Sequence, residues 1–476
     1  MQPKVQLMNT SSPQATYQKP VRSKWERRRL AFVLWRRRVM TIKTTMMLIG
    51  SIIGILAGCG AWFLKWSIGG LAHIFRGLMD PSGPNWWFFV LPFAGIMITA
   101  MYQRYLLKYS VEHGVSQVSR AIHMHQYKIR TGFCYQPLLC NVMTVGLGGS
   151  AGAEGPIATA GAAIGSLLGR LTGLAPERVR VMIGCGAGAG IAGIFKSPLG
   201  GALFTLEVLK MKLDTLSVLV LFVTALFGGI TTYVLTGFTF NITMEGLGQF
   251  DMALLGWSAG LGVFVGFYSI YYNKVTNVLL RFYDRLKNRW LCNILSASVA
   301  GMCVFLFPAM FGEGYISLTK ILNGDMGGFL EGSFFNAIES EFGMMLVLAT
   351  LMIAAKAFAT VSSNSGGGVG GDFAPTLFAG GFAGLVFAWA MNLWFDAGLS
   401  PAMFAFLGTA AGFAGIINAP IMATFLVAEM VGSGFIYILP IAIAAFISFG
   451  TCKVFTVFDY DRGENKSISP KTKATV

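Results

Sequence analysis

The sequence predicts an all-α integral membrane protein made of two related halves whose central helices are broken. Three observations predict it. The composition is apolar: of 476 residues, 54% are hydrophobic and 12% charged, with a mean hydropathy of +0.63. A soluble surface of this size needs far more charge. Eight long apolar segments follow one another along the chain, and two ordered blocks of Gly, Ala, Pro and Glu recur at a fixed distance.

Residues 1–40 read as a cytoplasmic basic N-terminal segment. The first twenty are polar and contain Pro, Ser and Gln, too little apolar matter for a core. Residues 21–40 interleave Arg22, Lys24, Arg27, Arg28, Arg29, Arg36, Arg37 and Arg38 with Trp, Leu and Phe. That pattern suits a helix lying in the membrane interface. Cations beside the first apolar segment favour the cytoplasmic side. They account for much of the net charge of +15 without nucleic-acid binding, because no nucleic-acid motif follows. A polar, basic start is also unlike a secretory signal. The seven cysteines form no metal-type pair and mostly sit in apolar segments, so they read as small hydrophobes.

The apolar segments are 45–75, 87–107, 215–236, 252–272, 290–311, 342–358, 376–397 and 435–457. Each is long enough for a hydrocarbon core of ~30 Å. Between them lie 144–170, 183–209, 364–385 and 408–432, apolar but broken by Gly and Pro. Broken helices survive in a bilayer only where protein or a water-filled cavity satisfies the freed backbone groups. Matching interruptions in two halves point to a transport site.

The halves do match. At an offset of 222, Gly186, Ala189, Gly190, Ala192, Gly193, Ile194, Pro198 and Glu207 align without gaps to Gly408, Ala411, Gly412, Ala414, Gly415, Ile416, Pro420 and Glu429. At 219, Gly152, Pro156, Ala160, Gly161 and Gly165 align to Gly371, Pro375, Ala379, Gly380 and Gly384. Shared Gly/Ala composition does not explain Pro and Glu in register, so duplication is the better account. Identity alone leaves open whether the halves run inverted. The division is a first transmembrane repeat at 41–240 and a second at 241–462. A short cytoplasmic tail, 463–476, leaves no room for a regulatory domain.

The sharpest motif is Gly152-Ala-Glu154-Gly155-Pro156. A carboxylate in an apolar segment is costly and usually functional. Pro156 fits a first helical turn, whose free N–H groups and dipole make an anion site. Glu154 can fill that site when ionised and leave when protonated, as a tethered competitor for a free anion. The second half repeats the turn without the acid, as Gly371-Asp372-Phe373-Ala-Pro375. Two half-helix N-termini aimed at one midplane point bind an anion loosely enough to release it.

On these motifs the chain resembles the CLC family of chloride channels and proton/chloride exchangers. Gly-Ala-Glu-Gly-Pro is similar to the family's Gly-x-Glu-Gly-Pro and Gly-Asp-Phe-Ala-Pro to its Gly-x-Phe-x-Pro. The blocks 186–209 and 408–431 are similar to its flanking helices, and the likeness runs over about residues 40–462. The resemblance implies an inverted-repeat fold of about eighteen mostly broken or tilted helices, a homodimer with a pore in each subunit, and chloride as the bound ligand, with no cofactor. It also implies Glu154 as the gating and proton-accepting residue, Asp372 and Phe373 as donors of backbone N–H groups to the anion, and Tyr460 as a hydroxyl donor.

Three departures bear on function. His113 stands where the anion-coordinating serine is expected, in Glu112-His-Gly-Val-Ser116. Its ring N–H can donate to an anion; alternatively it points away and Ser116 or a backbone N–H fills in. Val208 occupies the position where many exchangers carry an internal proton-transfer glutamate. Glu207 is one residue away, rotated by ~100° on a helix, and reads as structural like its mate Glu429. His113 bears on which anion passes, whereas Val208 leans toward channel-like passage, with coupled proton/chloride antiport as the alternative. Asp372 beside an anion site would repel the ion, so it reads as a helix cap. Lys196 reads either as lining an inner vestibule or as snorkelling to the interface.

Other classes fare worse. A membrane-embedded enzyme needs a nucleophile–base pair or metal cluster, and His73, His113, His123 and His125 sit in no such motif. A cation transporter would place acids, not helix N-termini, at the breaks. The expected setting is a multi-pass cell-membrane protein, of a prokaryotic inner membrane, whose partners are chloride or similar anions, protons and lipid.

Overall fold

The computed structural model describes residues 24–75, 77, 85–111, 115–124, 127–239, 252–335 and 342–460, the side chains of 24–27, 29 and 455–460 excepted. Among the described residues there are seventeen α-helices, close to the eighteen the family resemblance implies. Eight of the described helices are long and apolar enough to cross a membrane. Helix α1 (Lys24–Val39) precedes them, with Leu30, Phe32, Leu34 and Trp35 exposed along it, as an interfacial helix requires.

The remaining helices form two runs. The first is α2 (Ile42–Phe75), α3 (Trp87–Met101), α4 (Ser116–His123), α5 (Gln136–Gly146), α6 (Glu154–Leu171), α7 (Pro176–Phe195), α8 (Pro198–Leu203) and α9 (Thr215–Leu235). The second is α10 (Ala253–Arg285), α11 (Arg289–Leu306), α12 (Tyr315–Leu322), α13 (Phe342–Ser365), α14 (Phe373–Phe395), α15 (Pro401–Ile417), α16 (Pro420–Met430) and α17 (Ile438–Tyr460). Packing repeats between the runs: α2 lies on α9 as α10 lies on α17, α6 on α7 as α14 on α15, and α3 on α5 as α11 on α13.

The same punctuation produces both runs. Helices α7 and α15 open on Pro176 and Pro401, where a missing N–H costs nothing. Each ends on a left-handed residue, Lys196 (φ 53°) and Asn418 (φ 62°), which stops a helix. Pro198 and Pro420 then start the next one. Glycines set the central crossings. A Cβ on Gly161 would lie 2.1 Å from the Gly186 carbonyl oxygen, and one on Gly380 would lie 2.3 Å from that of Gly408. Backbones approach this closely only at glycine, the usual device where helices pack inside a membrane.

The glutamates of the repeat blocks lock the runs together. Glu207 accepts from the N–H groups of Ile421 (3.1 Å) and Met422 (2.6 Å), at the start of α16. Glu429 accepts from Leu199 (3.0 Å) and Gly200 (3.1 Å), at the start of α8, and from the Ser197 hydroxyl. Each half therefore caps a helix of the other, and the structural reading of both acids holds.

Charge separates the two ends of the bundle. Arg104 and Lys108 follow α3, Arg170 and Arg178 flank the α6–α7 turn, Lys210 and Lys212 precede α9, and Arg285, Lys287 and Arg289 join α10 to α11. This is the basic face. The opposite face carries Lys65, Lys196 and Lys320. Lys196 is thus not in a vestibule on the basic side. It terminates α7 at the other end, where its Nζ donates to the Thr239 carbonyl at 2.7 Å, because α7 starts at the basic face and runs away from it.

Candidate functional site

The two Gly-rich turns meet. The Gly152 N–H donates to the Gly371 carbonyl and the Gly371 N–H to that of Gly152, both at 2.8 Å, forming an antiparallel bridge. A second reciprocal pair surrounds it. The Val369 N–H donates to Thr144 Oγ1 and the Ser150 N–H to Ser363 Oγ, each at 3.0 Å. These four residues are mates at the offset of 219. Asn141 Nδ2 ties the turns further, donating to the carbonyls of Gly152 (3.0 Å) and Val369 (2.8 Å). Helices α6 and α14 both begin two residues beyond the bridge. Pro156 and Pro375 each stand third in their helix, within the first turn. Two positive helix ends are therefore brought to one place in the interior.

Glu154 opens α6 and is fully buried. Its Oε1 accepts from the Tyr315 hydroxyl, at 3.3 Å. Among the described residues its Oε2 has no hydrogen-bond partner, and it occupies the space left by the missing side chain of Gly152, where a Cβ would stand 1.9 Å away. On its far side Tyr315 leads to Lys65, whose Nζ lies 4.6 Å from the Tyr315 ring centroid and 2.6 Å from Glu313 Oε2. A buried carboxylate oxygen without a donor is expensive, so this side chain gains by taking a proton or by leaving.

A cavity of about 700 Å³ approaches the bridge from the basic face. Gly155, Gly371, Asp372 and Phe373 line its inner end, with Val208 and Asn364 on its walls. Asp372 holds the N-cap position of α14 but makes no side-chain cap. The capping expectation is corrected: the carboxylate is open to the cavity and receives Asn364 Nδ2 at 3.4 Å, turned away from the first-turn amides. The ring of Phe373, mate of Glu154, is held edge-on between Phe204 and Phe413, with centroids 5.7 and 5.0 Å away. His113 lies outside the described residues, although Ser110, Val115 and Ser116 on either side of it line the cavity. Tyr460 ends α17, and its side chain likewise lies outside them.

The structure adds residues the motifs did not reveal. Tyr315 is 161 positions from Glu154 and sits in no repeat block. Lys356 is fully buried in α13 and does not reach an interface. Its Nζ donates to Ser150 Oγ at 2.8 Å and lies 4.4 Å from the Phe378 ring centroid. It therefore places an amine directly behind the turn that carries Glu154. Its position in an apolar segment was the only signal in the sequence.

A buried carboxylate between an interior cavity and the opposite face, where two half-helices of a multi-pass bundle meet, defines a membrane transport protein. The particular family follows: residues 94–453 match the voltage gated chloride channel family, and the chain belongs to it. It is 27% identical over 407 residues to a ClcB-like chloride channel protein of Ralstonia nicotianae, covering 82% of this chain and 87% of that one. It is 28% identical over 313 residues to the H(+)/Cl(-) exchange transporter ClcA of Vibrio cholerae, covering 63% and 62%. The fold matches that of a slow cyanobacterial Cl-/H+ antiporter with a TM-score of 0.71, at 20% identity, over 87% of this chain and 97% of the other. A CLC-type fluoride/proton antiporter matches with 0.65, at 21% identity, over 87% and 96%.

Proposed function

We propose that the chain passes chloride, or a similar small anion, between its two faces, and that the carboxylate of Glu154 is the gate. One observation carries the reading: Glu154 Oε2 lies unpartnered against the Gly152–Gly371 bridge, where the amide ends of α6 and α14 converge. Ionised, the carboxylate occupies the place an anion would take. Protonated, it has no charge to hold it there, and the way from the cavity to Tyr315 opens. Phe373 and Asp372 contribute backbone amides at the start of α14, and by the family resemblance His113 and Tyr460 are the side-chain donors to the anion. Gly152, Gly155, Gly371 and the two prolines shape the helix ends. The basic face is cytoplasmic by the positive-inside rule, the repeats run 41–240 and 241–462, two copies form a dimer with a pore in each, and the membrane is a prokaryotic inner one.

Passage is channel-like in this reading, since Val208 cannot carry a proton. Stoichiometric proton/chloride exchange is the second reading, favoured by the exchange transporter among the relatives. Liposome flux of chloride, fluoride and nitrate at two pH values tests both. Glu154→Gln should pass anions without pH dependence, and pH-dependent flux in that variant would remove Glu154 as the gate. A reversal potential that moves with a proton gradient would select exchange.

A further inference from the structure

A second cavity, of about 640 Å³, opens on the basic face beside the first and shares Ser110 and Ser365 with it. Both runs of helices build it. Arg104 and Lys108 come from the π-helical turn after α3 (Tyr102–Leu107) and the residue beyond it, and Lys287, Arg289 and Trp290 come from the α10–α11 junction. Among the described residues, four cations line the space and no Asp or Glu does. Among the described residues, none of the four is in an ion pair. Arg104 instead lies over the Trp290 ring, 5.1 Å from its centroid. Four like charges held around one concavity repel one another unless an anion joins them.

The rim of this cavity says which anion. Leu106 is 70% exposed and Leu291 53%, beside Tyr105 at 58%, so the cations sit at the edge of an apolar, lipid-facing surface. Headgroup phosphates lie at that level, and guanidinium groups pair with phosphate through two parallel hydrogen bonds. We propose that this cavity binds the phosphate headgroup of an anionic membrane lipid.

The site is joined to the ion path through Gln103, which is buried and lies next to Arg104. Gln103 Nε2 donates to the Gly367 carbonyl, in the Gly-rich turn before α14, and its Oε1 accepts from the Val111 N–H, each at 2.7 Å. A headgroup held by Arg104 and Lys108 steadies that clamp and so the inner end of the first cavity. The binding itself is independent of how ions cross; only the effect on flux rests on the function proposed above.

Native mass spectrometry of the full chain in detergent, titrated with phosphatidylglycerol and separately with inorganic pyrophosphate, tests the binding. Arg104→Gln/Arg289→Gln should weaken phosphatidylglycerol binding roughly 25-fold, at about five-fold for each cation. Lys210→Gln/Lys212→Gln removes equal charge from the same face outside the cavity and should leave binding unchanged. The charge-keeping Arg104→Lys/Arg289→Lys variant should bind with an intermediate loss if the fork geometry matters. Pyrophosphate binding in place of lipid would assign the site to soluble phosphates. Equal losses in the two charge-removing variants, or no retention of either probe by the wild type, would overturn the site. In vesicles, 30% phosphatidylglycerol should raise wild-type flux and leave that of Arg104→Gln/Arg289→Gln unchanged. A wild-type flux indifferent to lipid, with binding intact, would remove the coupling through Gln103 and leave the site.

Discussion

The reciprocal caps give a direct way to separate structure from proton transfer at Glu207. In Glu207→Ala, the N–H groups of Ile421 and Met422 lose their acceptors at 3.1 and 2.6 Å. A buried donor left unpaired costs about 1–3 kcal/mol. Ile421 is exposed and water replaces its acceptor, so the loss comes mainly from Met422 and should be about 1–2 kcal/mol. Glu429→Ala strands Leu199 and Gly200 and also frees the Ser197 hydroxyl, so it should cost more, about 3–4 kcal/mol by the same reckoning. Glu207→Gln keeps one acceptor oxygen but loses the charge, which should leave about 1 kcal/mol of damage. Unfolding in mixed micelles with increasing dodecyl sulfate, followed by circular dichroism, would give the order Glu429→Ala, Glu207→Ala, Glu207→Gln. Reversal potentials of Glu207→Gln under a proton gradient should match the wild type. A variant of normal stability that has lost its response to protons would show that Glu207 carries them, and the capping argument would be wrong.

Gly152→Ala should place a methyl group 1.9 Å from Glu154 Oε2 and expel the carboxylate. Flux at neutral pH should rise toward that of Glu154→Gln and lose most of its pH dependence, whereas low flux with normal pH dependence would contradict the assigned position. Gly161→Ala meets the Gly186 carbonyl oxygen at 2.1 Å and should destabilise by about 1–3 kcal/mol in the same micelle assay. Gly69→Ala meets nothing within 4 Å and should not destabilise. On the loop before α9, the Ser217 hydroxyl and then the Arg178 guanidinium hold the Asp214 carboxyl below its usual value of 3.8. A depressed folded pKa means stability that is present above the unfolded value and lost as pH falls through the folded one. Asp214→Asn should therefore lower stability by about 0.2–1 kcal/mol at pH 7, and the gap should close below about pH 3.8.

Much of this arrangement was legible in the residues because its causes are local. Pro156 and Pro375 mark first helical turns in both halves, and the repeat offsets matched Glu207 to Glu429 and Gly152 to Gly371 before any contact was known. Eight apolar segments announced the membrane, although α10 and α13 run well past the ends their hydropathy set, through Arg285 and Ser365, because buried packing continues where apolarity stops. The environment of Glu154 was less legible. Tyr315 and Lys65 reach it from distant elements, and nothing in their neighbourhoods signals that approach. Asp372 misled because a cap depends on where a carboxylate turns, and Asn364 draws it the other way.

The bridge between Gly152 and Gly371, the Thr144–Val369 and Ser150–Ser363 bonds around it and the exchanged glutamate caps stitch one half of the chain to the other. Halves joined in this way have no hinge plane between them. Rocking one against the other would break every stitch at once. Under the function proposed above, opening and closing in such a molecule falls to single side chains swinging within a rigid frame, and its speed is set by rotamers and protons more than by the movement of domains.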